Sequence, residues 1–122
     1  MAKALTIRTR REPGCVIVTV AGEIDIATVG RLRERLTVLT ARGLPLIADL
    51  DQVSFIDATG LGTLAGAARQ AAEHGVSLHV VCDQPQTRRL FRVTALDRQI
   101  PLARNLAEAL RALGVDRDTQ PS

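Results

Sequence analysis

The sequence predicts an α/β fold, a single mixed β-sheet of about four to five strands flanked by about four α-helices. Three observations predict it. β-branched runs alternate with segments of helical period, glycines stand just beyond successive helical segments, and 122 residues suffice for one core without metal or disulfide support.

The elements follow in order. Leu5 to Glu12 alternates Leu5, Ile7 and Thr9 against Thr6, Arg8 and Arg10, the pattern of an edge strand with one wet face. Pro13-Gly14 marks a turn, and Cys15 to Ala21 is nearly continuous and β-branched, so the two runs form an antiparallel hairpin. Val29, Leu32, Leu36 and Leu39 then recur at helical spacing, with Thr28 or Asp25 as the cap and Gly43 as the stop. Pro45 to Leu50 is a short buried strand, and strand–helix–strand order implies a parallel crossover. A loop is expected from there to an Ala-rich helix over Gly60 to His74, closed by Gly75. Val76 to Cys82 is the next strand, Pro85 opens a helix carrying Leu90, Phe91 and Val93, and Ile100-Pro101-Leu102 is a short edge strand. Asn105 caps a last helix through Leu106, Leu110 and Leu113. Residues 1–114 read as one domain, and 115–122, polar and proline-bearing, as a disordered tail.

Composition narrows the function classes. Hydrophobic residues are 46% and charged residues 24%, an ordinary globular balance, but the aromatics are two Phe with no Trp or Tyr. Base-stacking platforms rely on aromatic faces, so direct nucleic-acid binding is not expected. The net charge of +3 comes almost wholly from arginine, with thirteen acids interspersed, which describes a mixed solvated surface. Cys15 and Cys82 sit in apolar runs at no metal or redox spacing and read as small buried hydrophobes. The first residues lack the apolar core of a signal peptide, and no run approaches a membrane span, so a reducing cytoplasm is the expected location.

The most informative stretch is Asp49 to Leu64. Asp57 is placed to accept amide hydrogen bonds from the first turn of a helix and to complement its dipole. Gly60 and Gly62 lie in the first turns, where each glycine costs about 1 kcal/mol against alanine. That cost must be offset by tight packing on the sheet or by close approach of a partner. Gly60-Leu-Gly-Thr-Leu-Ala65 also satisfies G-x-G-x-x-A after a strand, with Asp83 ending the next one. Against a dinucleotide stand the Asp57 carboxylate where pyrophosphate would bind, the expected loop before the glycines, and the lack of a second mononucleotide half.

Gly22-Glu-Ile-Asp25, the block from Asp49 to Gly62, and the later Pro85 to Leu90 stretch together resemble the STAS family, the domains of anti-sigma factor antagonists and of sulphate-transporter tails. The resemblance runs from about Leu5 to Leu113. It implies the STAS-like sheet-and-helix fold and a non-enzymatic protein-binding switch. On this reading the chain binds an anti-sigma factor of the histidine-kinase-like ATPase class and frees a sigma factor, with a phosphatase as a further partner. The alternative is a scaffold or accessory STAS domain in a signalling or lipid-transport assembly. Partner contact is carried over to Glu23, Asp25, Asp57, Ala58, Thr59, Gly60, Leu61 and Gly62, a surface holding no aromatic and no arginine. In the family, the kinase phosphorylates a hydroxyl residue right after the motif aspartate; here that position is Ala58. Either Thr59 is the phosphoacceptor, or the switch is absent. The second is preferred, because a slipped acceptor must still reach the γ-phosphate in line.

Other residues are explained more simply. His74 and His79 have no third ligand nearby, so no metal or other cofactor is expected. No catalytic triad context occurs, and turns and caps account for Asp49 and Asp51. Arg88, Arg89 and Arg92 form a small basic cluster facing solvent.

Overall fold

In the computed structural model, which describes residues 4–114, strands β1 (Leu5–Glu12) and β2 (Cys15–Ile24) form the expected hairpin. Pro13 fixes one turn dihedral and Gly14 supplies the other at φ 84°. Then come α1 (Val29–Thr40), β3 (Leu46–Ile56), α2 (Ala58–Glu73), β4 (Leu78–Val81), α3 (Pro85–Val93), a 3-10 turn (Leu96–Arg98), β5 (Leu102–Ala103) and α4 (Leu106–Ala112). The sheet order is β1-β2-β3-β4-β5; β1 runs antiparallel to β2, and every later pairing is parallel. The tail expected over 115–122 lies outside the described residues.

Strand alternation sorts the core into two layers. Val16, Val18, Val20, Leu46, Ala48, Leu50 and Val80 meet Leu32, Leu36 and Leu39 of α1, Leu61, Leu64 and Ala67 of α2, and Phe91 of α3. On the other face Cys15, Ile17, Ile47 and Val81 meet Ala109 and Leu110 of α4. Cys15 and Cys82 are both buried and free, and they belong to these two different layers. Small alanines on α2 let the helix sit close to the sheet, so one fully buried Phe suffices.

Two expectations about strands need correction. No loop separates Leu50 from α2: β3 continues to Ile56. Its second half was hidden because β3 carries extra residues against β2 in two places, where Thr19 and Ala21 face Asp49 and Gln52, and Gly22 and Glu23 face Val53 and Phe55. Each bulge shifts the alternation by one and breaks the period-2 signal. At the far edge, Ile100 is buried but lies outside β5, which holds Leu102 and Ala103 alone.

His79 in β4 is buried, paired across the ladder with Ile47; its Nε2 lies 3.2 Å from Ser77 Oγ, and no hydrogen bond reaches Nδ1. Burial therefore pushes the imidazole pKa below its ordinary value. Unfolding restores a value of about 6.5. The neutral ring's contribution to stability is complete above that pH and is lost as pH falls toward the lowered folded value. Urea midpoints measured at pH 8 and pH 5 should fall less on acidification in His79→Gln than in the parent; an equal fall in both would contradict this assignment.

Candidate functional site

The ends of β2 and β3 lie side by side: Glu23 pairs with Phe55, Ile24 pairs with Ile56, and the Asp57 amide donates to the Ile24 carbonyl at 3.1 Å. This register brings the β2–α1 connection against the start of α2. Asp57 is the N-cap, and one carboxylate oxygen accepts from the amides of Thr59 at 2.9 Å and Gly60 at 3.1 Å. The same oxygen accepts the Thr59 hydroxyl at 2.5 Å. That hydroxyl first, then the two amides, hold the Asp57 carboxyl below the usual carboxylate range, with burial and the Asp25 charge opposing. The helix start is thus occupied by its own anion, and a dinucleotide pyrophosphate has no place there.

Asp25 builds the neighbouring loop. Its carboxylate accepts from the amides of Ala27 at 2.9 Å and Thr28 at 3.2 Å, while Thr28 Oγ1 donates to the Glu23 carbonyl at 2.7 Å. Of the two cap candidates for α1, Thr28 holds the N-cap position but makes no side-chain bond to the helix; Asp25 closes the turn before it, and the Thr28 side chain ties the loop to β2. Asp25 is only 5% exposed.

The two glycines answer the question of what offsets their helix cost differently. A Cβ on Gly60 would lie 2.6 Å from Ile24 Cγ2 and 2.7 Å from Ile56 Cγ1, so its bareness lets α2 seat on the sheet. A Cβ on Gly62 would meet nothing within 4 Å. Gly62 is exposed, and nothing inside the chain requires it.

The eight contact candidates therefore divide. Ala58 and Gly62 are exposed, and Glu23, Asp57 and Thr59 are partly so. Asp25, Gly60 and Leu61 are buried, and Leu61 at 6% exposure packs into the α1–α2–α3 layer. These three shape the surface from beneath.

Two apolar residues there escaped sequence reasoning. Ile26 is 80% exposed in the Asp25 loop, and Phe55 is 49% exposed beside Glu23. Arg33 of α1 also shares a groove with Thr59 and Gly62. The surface thus does contain an aromatic and an arginine, contrary to expectation. Strict alternation from buried Val53 would turn Phe55 inward; the second bulge instead turns Phe55 outward and Ile56 inward. A β-branched residue immediately after the loop aspartate was the available signal for Ile26.

Asp49 and Asp51 act as local acceptors: Asp49 takes the Asp51 amide at 3.1 Å, and Asp51 takes the Asp83 amide at 2.9 Å. Burial raises the Asp49 carboxyl. His74, at the end of α2, lies 2.9 Å from the Gln70 carbonyl through Nδ1, on a different element from His79. Among the described residues no group of three His, Cys, Asp or Glu is placed to hold a metal, and no helix is long and apolar enough to cross a membrane. Arg88 donates to the Cys82 carbonyl at 2.8 Å, so it is a structural tie, whereas Arg89 and Arg92 face solvent.

Fold and site together define a small mixed-sheet domain whose distinctive surface is a capped helix start flanked by exposed apolar residues. Residues 6–109 match the STAS domain family, and the chain belongs to it. It is 33% identical over 92 residues to the anti-sigma-B factor antagonist of Bacillus subtilis (strain 168), spanning 75% of this chain and 84% of that protein. The crystal structure of an anti-sigma factor antagonist from Mycobacterium paratuberculosis superposes with a TM-score of 0.85 at 32% identity, covering 91% of this chain and 95% of that one. The phosphorylated form of the Bacillus cell fate determinant SpoIIAA shares the fold, with a TM-score of 0.65 at 20% identity over 88% of this chain and 98% of that one.

Proposed function

We propose that this chain is an anti-sigma factor antagonist that works by binding, in the cytoplasm and without catalysis, through the surface around the start of α2. It takes up an anti-sigma factor of the histidine-kinase-like ATPase class and so releases the sigma factor that partner holds. The observation that carries the reading is the exposed patch of Ala58 and Gly62 around the Asp57 cap, flanked by Ile26 and Phe55. A bare helix glycine with no neighbour inside the chain suits close approach by another protein, and large exposed apolar side chains beside it supply anchoring area. Glu23 and Asp57 give the patch an acidic character that selects a basic counterpart.

The anchors are separable from the fold. Ile26→Ser and Phe55→Ser change exposed side chains and should shift stability by no more than about 0.5 kcal/mol. Each should weaken anti-sigma factor binding about tenfold or more, read by isothermal titration. Unchanged affinity in both would place the contact elsewhere.

Control by phosphate is absent from this chain on the reading proposed here. SpoIIAA occurs in phosphorylated and unphosphorylated forms. Here Ala58 carries no hydroxyl, and the Thr59 hydroxyl donates to Asp57. A phosphate on Thr59 would remove that donor and set about two negative charges beside the Asp57 carboxylate. Incubation with the anti-sigma kinase and ATP, followed by intact mass, should show no gain. A gain of about 80 Da that disappears in Thr59→Ala would establish Thr59 as the acceptor and bring a phosphatase into the cycle.

A further inference from the structure

We propose a second docking surface: the outer edge of β1, with α1 beside it, accepts an extended acidic segment of a partner protein as an added strand. The β1–β2 register is unbroken, and the Ala4 carbonyl accepts from the Glu23 amide, so Ala4, Thr6, Arg8 and Arg10 direct their backbone groups at β2. Leu5, Ile7, Thr9 and Arg11 therefore direct theirs outward. Arg31 of α1 confirms the direction by donating to the Leu5 carbonyl at 2.7 Å. Among the described residues the outward amides and carbonyls of Ile7, Thr9 and Arg11 carry no hydrogen bond, so they form a row of donors and acceptors that a further strand pairs with.

Beside that edge runs a groove of about 440 Å³ between β1 and α1. Its floor includes Ile7 and Val38, the latter 50% exposed, an apolar seat for alternate side chains of an extended segment. Its wall carries Arg31, Arg35 and Arg42 against the single acid Glu34. Arg35 reaches down to Thr9 Oγ1 at 2.8 Å, so its guanidinium already lies at the level of the edge strand. Charge selects the occupant. A second copy would bring one row of arginines against another, whereas carboxylates on an acidic strand are matched by arginine forks. The surface is built from β1 and α1, apart from the Asp57 patch, and does not depend on the function proposed above.

The probe is a fluorescein-labelled ten-residue peptide alternating valine and glutamate, titrated by anisotropy, with an analogue N-methylated at every second residue that keeps the charge but cannot pair. The alternating peptide should bind and should slow amide exchange at Ile7, Thr9 and Arg11. The N-methylated analogue should bind at least tenfold more weakly to the unaltered protein, a comparison that needs no variant. Arg42→Glu, at a residue outside the Arg31 and Arg35 ties to β1, should weaken the peptide at least tenfold. Thr9→Pro, which spares the β2 ladder but removes an outward amide together with the Arg35 contact on Thr9 Oγ1, should do the same, whereas Thr9→Val, which removes that contact alone, should not. Absence of binding at millimolar peptide, equal binding of the N-methylated analogue, or equally tight binding of a short DNA duplex would overturn the proposal. The last two results would mean that charge alone attracts the ligand.

Discussion

Alanine at Gly60 destabilises the fold by about 1–2 kcal/mol, whereas alanine at Gly62 stabilises it by up to about 1 kcal/mol. The two substitutions are chemically identical and lie two residues apart at the start of the same helix. At Gly60 the new methyl would sit 2.6 Å from Ile24 Cγ2 and 2.7 Å from Ile56 Cγ1. Both isoleucines are buried and branched, so neither side chain can simply swing away. Overpacking of this kind costs about 1–3 kcal/mol, and two contacts this short put it in the upper half of that range, so after about 1 kcal/mol of recovered helix propensity about 1–2 kcal/mol is lost. At Gly62 the methyl meets open space, and the propensity gain stands alone. Urea denaturation of the two variants checks the pair. A Gly60→Ala protein as stable as its parent would show that α2 does not seat on Ile24 and Ile56 as described. Gly62→Leu extends the test to function, since a side chain there should leave the fold intact and obstruct a closely approaching partner.

The larger expected effect on binding is at Asp57. Lysine there should weaken capture of the anti-sigma factor by about a hundredfold or more, since it reverses the charge at the centre of the patch and sets a cation at the positive end of α2. Loss of the cap also weakens the helix start, so Asp57→Asn is the companion variant. Asparagine still accepts from the Thr59 and Gly60 amides and caps well, but carries no charge. If charge is what the partner reads, Asp57→Asn should keep the fold and still lose affinity, by less than Asp57→Lys. Equal binding by all three folded proteins would remove Asp57 from the interface.

Much of this organisation was legible in the residue pattern, and the exceptions share causes. The hairpin followed from Pro13-Gly14 between alternating runs, and the helices followed from leucine spacing and the glycines beyond them. Asp57 was legible as a cap because an acceptor before a glycine-bearing first turn has few other uses. The second half of β3 was not, since two bulges replaced the alternation on which strand reading depends. The same irregularity concealed Phe55, whose outward direction is a property of the register rather than of the residue. The 3-10 turn Leu96–Arg98 is too short to show a period, and Ala95 enters it at φ 60°, a conformation alanine seldom takes. The difference between Gly60 and Gly62 lay beyond the sequence as well, because it depends on which side of the helix the sheet occupies.

On the function proposed above, this chain displaces a sigma factor by occupying its anti-sigma factor through the α2 surface. The direct measurement is size-exclusion chromatography of a preformed anti-sigma–sigma complex titrated with the chain. The unaltered protein should release free sigma factor and co-elute with the anti-sigma factor, and folded Asp57→Lys should do neither. A complex that stays intact at saturating concentrations of the unaltered protein would rule out this displacement, and one dissolved equally well by Asp57→Lys would rule out the α2 surface.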